Sequence, residues 1–127
     1  MTPSPLTIDQ GCTLTQAHEV MRAHHIRHLP VLHGGKLVGI VSQRDLALVE
    51  SLPDVDPGEV QVEEAMSTDV YTLSADAPLL MAANEMAERR IGSAVVTEGG
   101  RVVGVFTEVD ACRSLAQIAS YFISAAA

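Results

Sequence analysis

Long apolar runs are missing from this chain, and none reaches the roughly 18 residues a membrane-spanning helix requires. No cleavable leader is expected either, because the chain opens on Met1-Thr2-Pro3-Ser4-Pro5 and runs straight into a repeated unit. Basic residues are scarce. Eight Lys and Arg stand against sixteen Asp and Glu, for a formal charge of −8. That balance excludes the clustered phosphate neutralisation of a non-specific nucleic-acid binder. It also argues against a strongly polyanionic ligand unless the few cations converge. The two cysteines, Cys12 and Cys112, form no CxxC pair and occupy inequivalent positions, so reduced thiols of a cytoplasmic protein are expected. No nucleophile–base constellation, dinucleotide fingerprint or P-loop is present, so catalysis is not expected.

What the chain does have is an internal repeat with a constant offset of 65 residues. Leu14 falls on Leu79, Ala17 on Ala82, Met21 on Met86 and Ile26 on Ile91. Residues 34–45, Gly-Gly-Lys-Leu-Val-Gly-Ile-Val-Ser-Gln-Arg-Asp, lie without a gap over residues 99–110, Gly-Gly-Arg-Val-Val-Gly-Val-Phe-Thr-Glu-Val-Asp. At 127 residues with 47% hydrophobic content, the composition is globular. Each half alone would bury too little surface to be comfortably stable, so two subdomains sharing a core are expected.

Each repeat reads as β-α-β-β-α. In the first, a short strand ends near Ile8. Thr13 caps a helix through Leu14, Ala17, His18 and Met21, and Leu29–Leu32 and Leu37–Val41 flank a Gly34-Gly35 hairpin turn. Ser42 then starts a helix. The second repeat follows the same plan, with Pro78 at a helix start, a Gly99-Gly100 turn and a last helix from about Val109 towards Ile123. Residues 1–50 and 62–127 are taken as the repeats and 51–61, rich in Pro and acids, as a solvated linker. Val62–Met66 reads as a short helical turn. Because the strands Leu37–Val41 and Val102–Phe106 are continuously apolar, the repeats are expected to pack sheet to sheet about a pseudo-twofold axis.

The densest chemical signal is Gly39-Ile40-Val41-Ser42-Gln43-Arg44-Asp45, echoed by Gly104-Val105-Phe106-Thr107-Glu108-Val109-Asp110. Ser or Thr followed three residues later by an acid is a capping-box pattern that satisfies amides at a helix start. The same atoms suit a ligand. Free N–H groups at a helix start favour phosphate, and a fixed carboxylate can accept from both hydroxyls of a ribose. Both readings stand at this point; duplication after two buried strands favours the second.

With these residues the chain resembles a tandem pair of cystathionine-β-synthase (CBS) domains, a Bateman module. Met1–Ile8 and Met66–Leu73 are similar to the family's opening strand, and Ile26–Val31 and Ile91–Val96 to its middle strand. The two G-h-h-S/T-x-x-D endings complete the likeness, where h is hydrophobic. The resemblance implies an α/β (α+β) fold and a non-catalytic regulatory module with no required cofactor. Its ligands would be adenosine-containing, AMP, ADP, ATP or S-adenosylmethionine, bound in clefts between the repeats. It further implies Asp45 and Asp110 on ribose, and Ser42 and Thr107 near ribose or phosphate. Thr7 and Thr72 would border adenine, and the backbone of His28, Leu29 and Pro30 and of Ser93, Ala94 and Val95 would read the base edge. A homodimer and an unidentified regulated protein are the implied partners, with no nucleic acid and no membrane.

The matched positions are not equal. Arg44 could meet phosphate oxygens, whereas its counterpart is Val109, preceded by Glu108, so the first cleft is expected to favour phosphate more. Arg27 could assist there, but it is read chiefly as a surface ion-pair residue. The five histidines, His18, His24, His25, His28 and His33, all fall in the first repeat but show no familiar zinc spacing, so no metal is assigned. The rival functional reading is a ligand-indifferent dimerisation or interaction domain. A stripe of Cys112, Leu115, Ala116, Ala119 and Phe122 or Ile123 on the last helix would then form the contact, or else cover its own core.

Overall fold

The computed structural model describes residues 7–126, with side chains as far as Ile123. The expected extended lead Met1–Leu6 lies outside the described residues. The first repeat contains β1 (Ile8–Asp9), α1 (Leu14–His24), β2 (His28–His33), β3 (Lys36–Ser42) and α2 (Gln43–Glu50). After a 3-10 turn at Val62–Glu64, the second contains β4 (Thr72–Ser74), α3 (Leu79–Arg89), β5 (Ser93–Glu98), β6 (Arg101–Thr107) and α4 (Glu108–Ala126).

The chain forms two three-stranded sheets, β1-β2-β3 and β4-β5-β6. In each, the first pair is parallel and the second an antiparallel hairpin. Local chemistry explains the joints. Gly34 and Gly35 adopt φ of 58° and 79°, as do Gly99 and Gly100, conformations that cost glycine little. Thr13 caps α1 through a full capping box with Gln16. Helices α1 and α3 both end in a left-handed residue, His25 and Arg90, 65 positions apart. This fold class, two similar α+β units side by side, is the one the repeat predicted.

One core gathers Leu14, Ala17, Met21, Leu29, Val31, Val41 and Leu46, and a smaller one gathers Ala82, Met86, Ala94, Val96 and Phe106. The sheets approach through β2 and β6. They are also stitched by a segment the repeat alone did not reveal. Ser67 crosses to pair with Ile40 of β3, its N–H and C=O each bonding the opposite group at 2.9 Å. That crossing explains Gly39. A Cβ there would lie 2.6 Å from Met66 Sδ and 2.8 Å from the Ser67 carbonyl oxygen.

One expectation needs correction, and one open alternative is decided. Residues 51–61 are mostly exposed, but they are not simply a solvated spacer. Val55 and Val60 pack on the first core, and four backbone hydrogen bonds tie residues 57–63 to residues 10–15. Val62, placed with the second repeat by sequence, is wholly buried in the core of the first. Of the two alternatives for the apolar stripe of α4, cover for its own core is not the one realised: Cys112, Leu115, Ala116, Ala119, Phe122 and Ile123 are all exposed. Helix α4 is 19 residues against 8 for α2, so it runs past the sheet that seats its first turns.

Candidate functional site

The two strand-to-helix junctions have nearly the same geometry, because a hydroxyl residue and an aspartate three positions later close both turns. At the first, the Ser42 N–H donates to Asp45 Oδ2 at 2.8 Å and the Asp45 N–H donates to Ser42 Oγ at 3.0 Å. At the second, the Thr107 N–H and hydroxyl donate to Asp110 Oδ2 at 2.9 and 3.2 Å, and the Asp110 N–H donates to Thr107 Oγ1 at 3.3 Å. The capping reading of the motif is therefore realised in both repeats. It does not consume the whole carboxylate. Among the described residues Asp45 Oδ1 makes no hydrogen bond, leaving an acceptor beside the cap.

Cross-strand register assembles the remaining residues around each junction. His28 lies opposite Ser42, and Ser93 opposite Thr107, while Thr72 pairs with Val95. Leu29, Pro30, Ala94 and Val95 are buried, so they offer backbone more than side chain. Thr7 is half-buried just ahead of β1, and Thr72 is exposed. Arg44 is exposed on the first turn of α2.

A cavity of about 540 Å³ opens at the second junction, with walls from both repeats. The first supplies residues 25–28, and the second supplies Gly92, Val105, residues 107–110 and Arg113. Of the residues singled out by sequence, this cavity unites His28 with Thr107 and Asp110; Ser42, Arg44 and Asp45 are not on its wall. Its arginines are Arg27, read from the sequence chiefly as an ion-pair residue, and Arg113, which the sequence reading did not single out. Among the described residues Arg27 makes no ion pair, contrary to its reading as a surface-paired residue. Arg113 was legible: it lies three residues beyond Asp110, hence on the same helix face. Arg27 was not, since only the packing of one repeat on the other brings it there.

Electrostatics bind the two junctions together at His28. Burial holds its imidazole below the ordinary 6.5, the carboxylates of Asp45 and Glu108 push upward without restoring it, and Arg27 adds to the lowering. A single imidazole thus senses an acid from each repeat. Burial raises the Asp110 carboxyl, but the donors that meet it, with the Thr107 backbone N–H first among them, prevail and hold it below 3.8. Glu108 folds its carboxylate over Gly92, where an added Cβ would collide with it. The first repeat has Arg27 at the matching position. With Arg27 and Arg113 against Glu108 and Asp110, the wall carries both signs of charge.

Among the described residues no group of three or more His, Cys, Asp and Glu side chains could hold a metal ion. His24 and His25 are exposed, and His18 Nε2 lies 2.7 Å from Glu50 Oε1. No helix of the described residues is long and apolar enough to cross a membrane.

Comparison with known proteins agrees with this geometry. The profile of the CBS domain matches residues 1–51 and 62–117. Hypoxic response protein 1 of Mycobacterium tuberculosis is 31% identical over 104 residues, 81% of this chain and 73% of that protein. An uncharacterized protein of Methanocaldococcus jannaschii is 30% identical over 105 residues, which cover 82% of this chain but 34% of that protein. The chain spans about a third or less of the first curated relatives it matches. Among solved structures, the CBS domain pair of protein MJ0100, in complex with 5′-methylthioadenosine and S-adenosyl-L-methionine, superposes with a TM-score of 0.82. It is 28% identical, with 92% of each chain covered.

Proposed function

The chain belongs to the CBS domain family, and from that premise we propose that it is a non-catalytic regulatory module whose ligand is an adenosine-containing molecule. The observation that carries this reading is the cavity whose walls come from both repeats and include Thr107 and Asp110. A ligand there touches both halves at once. It therefore biases their relative angle by whatever affinity difference it has for the two arrangements, and a regulated partner protein reads that angle.

In this proposal Asp110 and Asp45 accept from ribose hydroxyls, with Thr107 and Ser42 beside them. Thr7 and Thr72 border the base, and the backbones of residues 28–30 and 93–95 line its edge. Arg27 and Arg113 give the second junction the cations that the −8 chain otherwise spreads thinly. Mixed charge on this wall suits a ligand that itself carries both signs, such as S-adenosylmethionine. Arg44 suits a phosphate at the first junction. The complex of the MJ0100 domain pair with two adenosine compounds supports the ligand class.

Calorimetric titration with AMP, ADP, ATP and S-adenosylmethionine, on wild type, Asp45→Ala and Asp110→Ala, tests the reading. Binding of at least one of these, lost on Asp110→Ala, is the expected result. Heat from none of them at millimolar concentration would sink it.

A second reading rests on α4. From Ser114 to the end of the chain no residue is charged, and Leu115, Ile118 and Phe122 are exposed. Two copies of a −8 chain can approach through such an uncharged face without like-charge repulsion, forming a homodimer that is indifferent to nucleotides. Light scattering on wild type and Ile118→Glu checks it, with dimer and monomer as the respective expectations.

A further inference from the structure

The cavity at the second junction holds one side chain whose chemistry the repeat supplies only once. His28 opens β2, whereas the residue 65 positions on is the uncharged Ser93. Backbone bonds fix its place. Gln43 N–H donates to the Arg27 carbonyl at 2.9 Å, as Glu108 N–H does to the Gly92 carbonyl at 3.1 Å. Each bond pins the start of a middle strand to the start of a helix. His28 also lies opposite Ser42 across the hairpin. It therefore belongs to the first junction by register and to the second by its position on the cavity wall.

Charged groups reach His28 from three directions. The turn between α1 and β2 brings His25 and Arg27, and α4 brings Glu108, Asp110 and Arg113. Asp45 of α2, off the wall, acts on the imidazole through space. On the far flank Gly92, Val105 and Thr107 carry no charge. His25, Arg27, Glu108 and Arg113 are exposed, so water and salt screen them. His28 and Asp110 are half-buried and are screened less. The Thr107 donors keep Asp110 a carboxylate. Among the described residues of the wall, His28 is therefore the less-screened group whose charge changes near neutral pH. At pH 7 burial keeps it neutral, and two arginines face two carboxylates across the cavity.

We propose that His28 is the specificity-determining residue of this cavity, its proton deciding between an adenosine ligand that bears phosphate and one that bears a sulfonium. The proposal rests on the reading of the cavity as a ligand site and adds what selects among its ligands. With the proton on, the wall gains a cation that attracts phosphate and repels a sulfonium. With the proton off, the carboxylates of Glu108 and Asp110 meet the sulfonium without that opposition. Reciprocity requires each ligand to act back on the proton. A phosphate draws it onto His28, and a sulfonium drives it off. Falling pH therefore shifts the same cavity from sulfonium towards phosphate. Because Ser93 stands at the matching position, the second repeat offers the first junction no such group.

The test is an NMR titration of the imidazole signals of the intact chain with saturating ADP, S-adenosylmethionine or 5′-methylthioadenosine. The last carries neither charge and gives the baseline for covering the imidazole. Relative to that baseline, ADP is expected to raise the His28 midpoint by about half a pH unit and S-adenosylmethionine to lower it. Calorimetry at pH 7.5 and 5.5 gives the same quantity as affinity. The preference for ADP over S-adenosylmethionine is expected to rise about threefold more in wild type than in His28→Gln, a comparison that cancels the ligands' own titration. A midpoint that both charged ligands leave at the baseline, or move to the same side of it, would overturn the proposal. So would a preference that rises equally in His28→Gln. Either result leaves the cavity standing as a ligand site, whereas no response to any of the three compounds would overturn both.

Discussion

Leu14 and Leu79 stand at the first residue of equivalent helices, 65 positions apart, yet one is wholly buried and the other more than a third exposed. The strap of residues 55–63 across the start of α1 makes the difference, and the consequence spreads. The first core holds Val62 and is flanked by Val55 and Val60, while the second core is smaller and lacks any such cover among the described residues. The cavity shows the opposite bias, opening at Thr107 and Asp110 and leaving Ser42 and Asp45 off its wall. The first repeat is the better-closed core, and the second presents the more open surfaces.

The sharpest way to break this comparison is to truncate the paired leucines. Leu14→Ala should cost about 3 kcal/mol, the usual loss for a fully buried leucine, and Leu79→Ala about 1 kcal/mol. Urea unfolding of the two variants decides it; equal losses would mean that closure by the strap is unimportant. The caps should instead behave alike. Ser42→Ala and Thr107→Ala should each cost about 1 kcal/mol, because each removes an acceptor for one helix-start amide. The left-handed helix ends give a smaller, opposite effect. His25→Gly and Arg90→Gly should each stabilise by about 0.5 kcal/mol, since glycine adopts φ near 55° without a Cβ clash.

The least effect is expected from pH, because the causes acting on His28 oppose one another. Its folded pKa lies below its unfolded value, so the unfolded chain takes up the proton first. Stability is therefore full above about 6.5 and falls as pH drops below it, whereas the contribution of Asp110 is lost only below about 3.8. Thermal melts at pH 7.5 and 5.5 should show the first loss in wild type and not in His28→Gln. An unchanged slope in the variant would remove His28 as the group that joins the two junctions.

Much of the fold was legible because much of it is local. Gly34-Gly35 and Gly99-Gly100 demand tight turns, Thr13 and Ser42 announce helix starts, and apolar spacing marks α1 and α3. The candidate site was legible in part. Thr107 and Asp110 could be named from the duplicated motif, and His28 from the resemblance of residues 26–31 to the family's middle strand. The convergence of Arg27 and Gly92 on the same cavity could not, because it depends on how one repeat packs against the other. Misjudging residues 51–61 has the same origin. Their Pro and acid content describes the side facing water, while Val55, Val60 and Val62 are too widely spaced to signal burial by themselves.

By itself, then, the sequence determined two copies of one β-α-β-β-α unit, their turns and caps, and a chain with no spare positive charge. These follow from interactions within a few residues and from composition. Only the tertiary structure decided that Ser67 pairs with Ile40, that the strap closes one repeat and not the other, and that residues 25–28 face Thr107 and Asp110. Those outcomes depend on which distant apolar surfaces bury each other. A repeat offset, being identical for both halves, cannot tell them apart.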